Sequence, residues 1–215
     1  MAPGIFALIV SFTSWAVVHS LLANLRVKTW ARRTFGERVN RWYRLGFVVL
    51  AVVTLAPILL LFALLPDRTL YVVPVPWRWV MIAGQTVGVA GAAAAVLQTG
   101  AFRFVGLAQV FEPLPVEGDG VPLQVRGLYC HVRHPIYFFS LLLMWLTPMM
   151  TTNLLTLYML MTVYFYVGSV HEESRLLAEF GEAYRGYQRR VPRLIPRLRR
   201  CYPSSRGDER AFGGG

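Results

Sequence analysis

Apolar residues in this chain come in blocks separated by short polar segments. Gly4 to Leu25, Leu45 to Leu65 and Trp79 to Leu97 run almost without charge. A helix rises about 1.5 Å per residue, so roughly 20 apolar residues cross a ~30 Å hydrocarbon core. Each block therefore predicts a membrane helix. A fourth region, Pro135 to Val170, is broken by Thr147-Pro148-Met149-Met150-Thr151-Thr152-Asn153 and reads as two helices joined by a tight turn. Its first arm is short: about 14 residues rise only ~21 Å. That arm is expected to cross incompletely, its backbone shielded by neighbouring helices. The predicted fold class is all-α, a polytopic membrane protein with about five transmembrane helices that include a C-terminal helical hairpin.

Between the blocks the pattern changes character. Val73-Pro74-Val75-Pro76 is an extended connection, and Phe111 to Gln124, rich in Pro and Gly with Glu112, Glu117 and Asp119, is a polar loop. Gly84 and Gly88 form a small-xxx-small pair that permits close helix contact. After Glu172, Leu176, Leu177, Phe180, Tyr184 and Tyr187 recur at helical spacing among Arg and Glu until Pro192. This predicts an amphipathic cytosolic helix lying along the membrane surface. The chain divides into N-terminal transmembrane helices (1–99), a C-terminal core (100–200) and a disordered tail (201–215).

Composition agrees. The 215 residues are 55% hydrophobic and 15% charged, with mean hydropathy +0.47, values seldom combined in a soluble domain. The first block has no basic region before it and no small-residue cleavage site before Arg26, so it reads as a retained helix rather than a signal peptide.

The net charge is +11, and its placement matters more than its size. Of the 22 Lys and Arg, 20 fall in Arg26 to Arg44, Arg103 to Arg133 and the tail after His171; only Arg68 and Arg78 lie elsewhere. By the positive-inside rule the basic side is cytosolic, which puts the N-terminus outside and the C-terminus inside. Basic residues flanking apolar helices contact anionic lipid headgroups, a stronger reading than nucleic-acid binding. Cys130 and Cys201 lie on the reducing side, so no structural disulfide is expected, and no zinc spacing is present.

The densest polar and aromatic cluster is Gly127 to Tyr137, just before a membrane helix. Pro135 suits the first helical turn. The unpaired N–H groups and positive dipole end there attract a carboxylate or phosphate. Tyr129 and Tyr137 can stack on a planar ligand, His134 can donate or accept a hydrogen bond, and Arg133 can orient an anionic group. Glu172 and Glu173 close the second arm of the hairpin, which should bring Glu172 back near His134. One helical step of ~100° turns Glu173 away, so it is expected to matter less. An anion site beside a carboxylate suits a zwitterionic aromatic ligand. His19 and His171 have no partner assigned from sequence.

These residues resemble the isoprenylcysteine carboxyl methyltransferase superfamily of membrane methyltransferases. The likeness runs from Phe104 to Pro196. It is carried by Gly-Leu-Tyr at 127–129, Arg-His-Pro-Ile-Tyr at 133–137, Glu-Glu at 172–173, Phe-Gly-Glu-Ala-Tyr at 180–184, and Val-Pro at 191–192 with Pro196. Phe104 to Val110, Trp145 to Thr151 and His19 to Ala23 look closer to the bacterial branch of methanethiol S-methyltransferases and NnrU-like proteins. The resemblance implies an enzyme of a bacterial inner membrane that uses S-adenosylmethionine. By motif position its cofactor contacts would fall on Leu123, Gln124, Tyr129, His134, Pro135, Ile136, Tyr137 and Glu172, with Arg133 the candidate catalytic residue and no metal. The implied acceptor is a small or lipophilic thiol or carboxylate. Prenylcysteine-type enzymes carry a substrate-binding arginine where this chain has Gly168, and Phe138-Phe139 replaces a small residue. Both departures argue against a prenylcysteine acceptor. The alternatives are a phospholipid N-methyltransferase-like enzyme and a non-catalytic accessory protein.

Overall fold

The computed structural model describes residues 2–36, 38–105, 107–111, 123 and 125–197. The acidic part of the polar loop, Gln124 and the 201–215 tail lie outside these residues.

The apolar blocks become helices because each satisfies its own backbone while exposing carbon to lipid. They are α1 (Ala2–Leu22), α3 (Arg38–Leu64), α4 (Trp77–Thr99) and α8 (Thr152–Phe180). All four contain stretches long and apolar enough to span a bilayer. Val52, Val53 and Leu60 on α3 are among many large apolar side chains left exposed, as lipid-facing positions are. This is the all-α membrane architecture expected from the pattern. The basic segment between α1 and α3 contains α2 (Leu25–Phe35), and the short α5 (Ala101–Val105) and α6 (Ala108–Phe111) follow α4.

The short arm is α7 (Pro135–Trp145), 11 residues or only ~16 Å. It lies against α4 along the small-residue face. A Cβ at Gly88 would come 3.0 Å from the Phe139 carbonyl oxygen and 3.0 Å from the Leu143 nitrogen, so the two backbones touch there. Gly91 faces the Phe139 ring and Gly84 the Leu146 side chain. The end of α7 is shielded by neighbours: Gln85 of α4 donates to the Leu143 carbonyl at 3.1 Å, and the Tyr71 hydroxyl to the Thr147 carbonyl at 3.4 Å.

At that end, the segment just before the extended connection pairs with part of the segment read as a tight turn. β1 (Thr69–Val72) and β2 (Met149–Thr151) form an antiparallel ribbon, Tyr71 opposite Met150. Sequence patterning misses this because neither strand alternates; the pairing satisfies backbone groups that no helix covers. Asp67 and buried Asn153 lock the junction. The Asp67 carboxylate accepts the Asn153 N–H at 3.0 Å, while the Asn153 amide donates to the Phe62 and Leu65 carbonyls at 3.3 and 3.2 Å. Burial is the largest single influence on Asp67 and pushes its pKa up. Hydrogen bonds from the Thr151 hydroxyl and from backbone N–H groups outweigh it, and the net shift is downward from 3.8. A carboxylate with a depressed folded pKa adds stability that is fully present above its unfolded value and lost as pH falls through the folded one. The thermal midpoint of detergent-purified protein should therefore fall below about pH 4. Asp67→Asn should start from a lower midpoint at pH 7 and lose less on acidification. An equal acid loss in both would remove Asp67 from the account.

α1, α3 and α8 share a core built on Leu8, Phe12, Ile58 and Phe62, with Leu160 and Tyr164 of α8 against it. α8 carries straight on to Phe180, and Gly181, at φ +55°, ends it. The amphipathic helix is thus short, α9 (Glu182–Arg190), and it docks inward: Tyr184 is fully buried and the Tyr187 hydroxyl donates to the Tyr129 carbonyl at 2.7 Å. Cys130 is disulfide-bonded, its partner lying outside the described residues. This corrects the expectation of no disulfide. That expectation rested on compartment, and spacing along a chain does not report whether two sulfurs come within bonding reach.

Candidate active site

The chain enters α7 through a 3-10 turn, Gly127–Cys130. Gly127 has φ +61°, and a Cβ there would sit 2.6 Å from the Gln98 amide oxygen, which accepts the Leu128 N–H at 3.0 Å. Glycine is needed for both reasons. The next residues pair with the segment after α9. The Arg133 N–H donates to the Pro192 carbonyl at 2.9 Å, His134 N–H to Arg193 at 3.1 Å, and Arg197 N–H to His131 at 3.1 Å. The Val-Pro and Pro196 positions therefore clasp the start of α7, a role that sequence order alone does not reveal.

His134 precedes α7 and is buried, and Pro135 fills the first helical position. The Phe138 N–H is taken by the His134 carbonyl, which leaves the Ile136 and Tyr137 N–H groups as first-turn donors. The hairpin brings Glu172 back to this point. Its Oε2 lies 3.5 Å from His134 Nδ1 and accepts the Tyr137 hydroxyl at 3.3 Å. The Glu172 side chain remains 41% exposed, a carboxylate with room for a further partner. Tyr129 is close enough to feel it: burial first, and then the Glu172 charge, push the Tyr129 hydroxyl up to about 12. On the other side, Lys28 is held below its usual pKa by burial and then by Arg175, Arg44 and Arg32. Arg175 and Arg44 also feel the Glu172 charge, so the carboxylate borders a positive field.

Glu173, expected from sequence to turn away from Glu172, is the more deeply buried of the pair. Its side chain is 3% exposed, and both oxygens are engaged. Oε1 meets His134 Nε2 at 3.1 Å and Arg133 Nε at 3.0 Å; Oε2 accepts from Gln188 at 3.0 Å and Arg193 at 2.9 Å. Arg133 is therefore turned onto a buried carboxylate, and its own side chain is 9% exposed. The available signal was period: Phe165, Ser169 and Glu173 fall four apart on α8, and Ser169 is fully buried.

Tyr137 also differs from expectation. Its ring already stacks with two others, His134 at 5.3 Å and Phe165 at 5.0 Å, both nearly parallel, so Tyr137 offers chiefly its hydroxyl. Among the tyrosines named from sequence, Tyr129 is left for stacking. Leu123 is half-buried before the 3-10 turn, Ile136 is half-buried and Pro135 buried; Gln124 lies outside the described residues.

Comparison with characterised proteins finds similar sequences over most of the chain. It is 32% identical over 192 residues to methanethiol S-methyltransferase 2 of Bradyrhizobium diazoefficiens, covering 86% of this chain and 70% of that protein. It is 31% identical over 185 residues to methanethiol S-methyltransferase of Mycobacterium tuberculosis, covering 85% and 74%. Against methanethiol S-methyltransferase 1 of the Bradyrhizobium species it is 31% identical over 191 residues, and there it spans only 63% of the relative's length. No family model matches, and no solved structure matches.

Proposed function

Because the chain belongs to the isoprenylcysteine carboxyl methyltransferase-like family of membrane proteins, alongside the methanethiol S-methyltransferases, we propose that it methylates a small thiol with S-adenosylmethionine. One observation carries the reading: a half-exposed carboxylate, Glu172, is fixed beside the free N–H groups of a helix start. The two features suit the opposite charges of a zwitterionic donor. Bound there, S-adenosylmethionine would supply a methyl group already activated by the positive sulfur.

The protein's own groups then position and exclude. The Ile136 and Tyr137 N–H groups receive a carboxylate. Glu172 accepts hydrogen bonds from amino or hydroxyl groups. Tyr129 offers its ring to the aromatic part. Arg133, named from sequence as the catalytic candidate, acts at one remove: with Glu173 it holds the His134 ring in place. No side chain is assigned as general base: the sulfonium is a strongly activated methyl donor, and even the small thiolate fraction of an alkyl thiol is strongly nucleophilic. What remains is alignment, which by itself supplies several kcal/mol. The charge-dense end carries this site, and in this reading it faces the cytosol.

Gly168 bears on the acceptor. It sits one turn before Glu172, and a Cβ there would lie 3.8 Å from the Tyr137 hydroxyl. Where prenylcysteine-type relatives place an arginine, this chain has a glycine beside the Tyr137 hydroxyl and so no charge there to bind a carboxylate. Purified protein given labelled donor should transfer label to ethanethiol, and to a farnesylcysteine analogue more slowly by on the order of tenfold or more. Preferred methylation of the farnesylcysteine carboxylate would reverse the acceptor assignment. Failure to bind any donor would favour a non-catalytic accessory protein.

A further inference from the structure

Away from the Glu172 site, a groove of about 330 Å³ runs between α1 and α3. Trp15, Val18, Leu22, Phe47, Ala51 and Ile58 are among the residues that line it, and it contains no Lys, Arg, Asp or Glu. Val18 and Leu50 on its walls are exposed, so it opens towards lipid. From Phe47 to Ile58 it follows α3 for ~16 Å, about half of a ~30 Å hydrocarbon core. The groove is therefore about one leaflet long. Roughly 150 Å³ is enough to hold the six carbons of benzene in a protein interior, so this volume takes on the order of a dozen acyl carbons.

One end of the groove is charged. Arg44, Phe47, Ala51, Thr54 and Ile58 recur at spacings of three and four, so Arg44 stands on the groove-lining face of α3, one turn beyond Phe47. On the opposite wall, Leu22 ends α1, and its carbonyl accepts the Tyr43 hydroxyl at 2.6 Å, which ties the two helices together at this end. Just beyond it begins α2, with Lys28 and Arg32 one turn apart on the same face. The Lys28 ammonium is disfavoured by burial first and then by Arg175, Arg44 and Arg32. Four cations from α2, α3 and α8 thus converge, and the carboxylate that borders them is Glu172. Trp30 on α2 and Trp42 on α3 are 60% and 58% exposed, as aromatic side chains at headgroup depth are.

We propose that groove and cations together form a binding site for an anionic phospholipid, its acyl chain lying between α1 and α3 and its phosphate among Lys28, Arg32, Arg44 and Arg175. The lipid is a ligand and not the methyl acceptor, so the proposal stands apart from the thiol reading. A neutral lipid would leave the cations unused, and free phosphate would leave the groove unfilled. A second copy of the chain, packed here about a twofold axis along the bilayer normal, would set the same cations against each other. Each Lys or Arg at a membrane surface favours anionic over neutral lipid by about fivefold, so the cluster gives the groove a preference that its apolar walls alone would not.

The test uses the full chain in phosphatidylcholine nanodiscs that contain a minor fraction of lipid brominated on its acyl chains, either phosphatidylglycerol or phosphatidylcholine. Bromine quenches indole on contact, and the Trp15 signal is the difference between wild type and Trp15→Phe. At equal fractions, brominated phosphatidylglycerol should quench Trp15 more, with a relative affinity of about fivefold or greater. The double variant Lys28→Gln/Arg44→Gln should bring the ratio close to one. Ala51→Phe, which fills the groove, should remove the preference at Trp15 while leaving the cations in place. Equal quenching by the two lipids in wild type, or a preference that survives either variant, would overturn the proposal. A Trp15 that neither lipid reaches would give the groove to protein and overturn it as well. If Ala51→Phe does not fold, the double variant decides, because it alters only exposed side chains.

Discussion

Glu173→Ala is expected to destabilise the protein by about 3–5 kcal/mol, the usual consequence of removing one partner from a buried ion pair. The cause is the asymmetry of the network. The Glu173 carboxylate accepts from Gln188 and Arg193 and faces His134 Nε2 and the Arg133 guanidinium. Without it the Arg133 guanidinium stays buried with no counter-charge, and the His134 ring loses the contact at Nε2. Arg193 and Gln188 also lose their anchor, so the clasp formed by the 192–197 segment should loosen with them. Thermal unfolding followed by intrinsic fluorescence in detergent should show a large drop for Glu173→Ala and a smaller one for Glu173→Gln, which keeps an acceptor oxygen. Proteolysis after α9 should speed up in parallel. A Glu173→Ala protein as stable as wild type would mean that the network contributes nothing net.

The second large effect is on donor binding. Glu172→Gln should weaken S-adenosylhomocysteine binding by roughly 10- to 150-fold, the ~1.5–3 kcal/mol of a charge-assisted hydrogen bond. Unlike Glu173→Ala, it should leave the protein folded and monodisperse, because the Glu172 side chain is already 41% exposed. Tyr137→Phe keeps the ring stacked with His134 and Phe165 and removes only the hydroxyl that Glu172 accepts. It should weaken binding less than Glu172→Gln. Calorimetry on the two variants and wild type checks this. Unchanged affinity in Glu172→Gln would reject this placement of the donor, even with the family settled.

The contrast between two adjacent glutamates shows how far the sequence reaches. It placed both at the end of a long apolar helix, and the hairpin topology brought one of them to His134. Which carboxylate is buried depends on the rotation of α8 about its own axis. That rotation is fixed by Phe165 and Ser169 packing inward and by Arg193 arriving from 20 residues further on. Nothing local in the Glu-Glu pair encodes it.

The same division holds elsewhere. Membrane spans, the short α7 and the glycine face of α4 were legible because they follow from length, apolarity and residue size, all properties of contiguous sequence. The basic side was legible because charge counts are. The structure alone decided that β1 and β2 pair, that α9 packs Tyr184 inward, and that the Tyr137 ring stacks with Phe165. Each of these is a contact between segments far apart in the chain. Local propensity is blind to such contacts, because the free energy that selects them comes from hydrogen bonds and buried surface formed only once the helices have assembled.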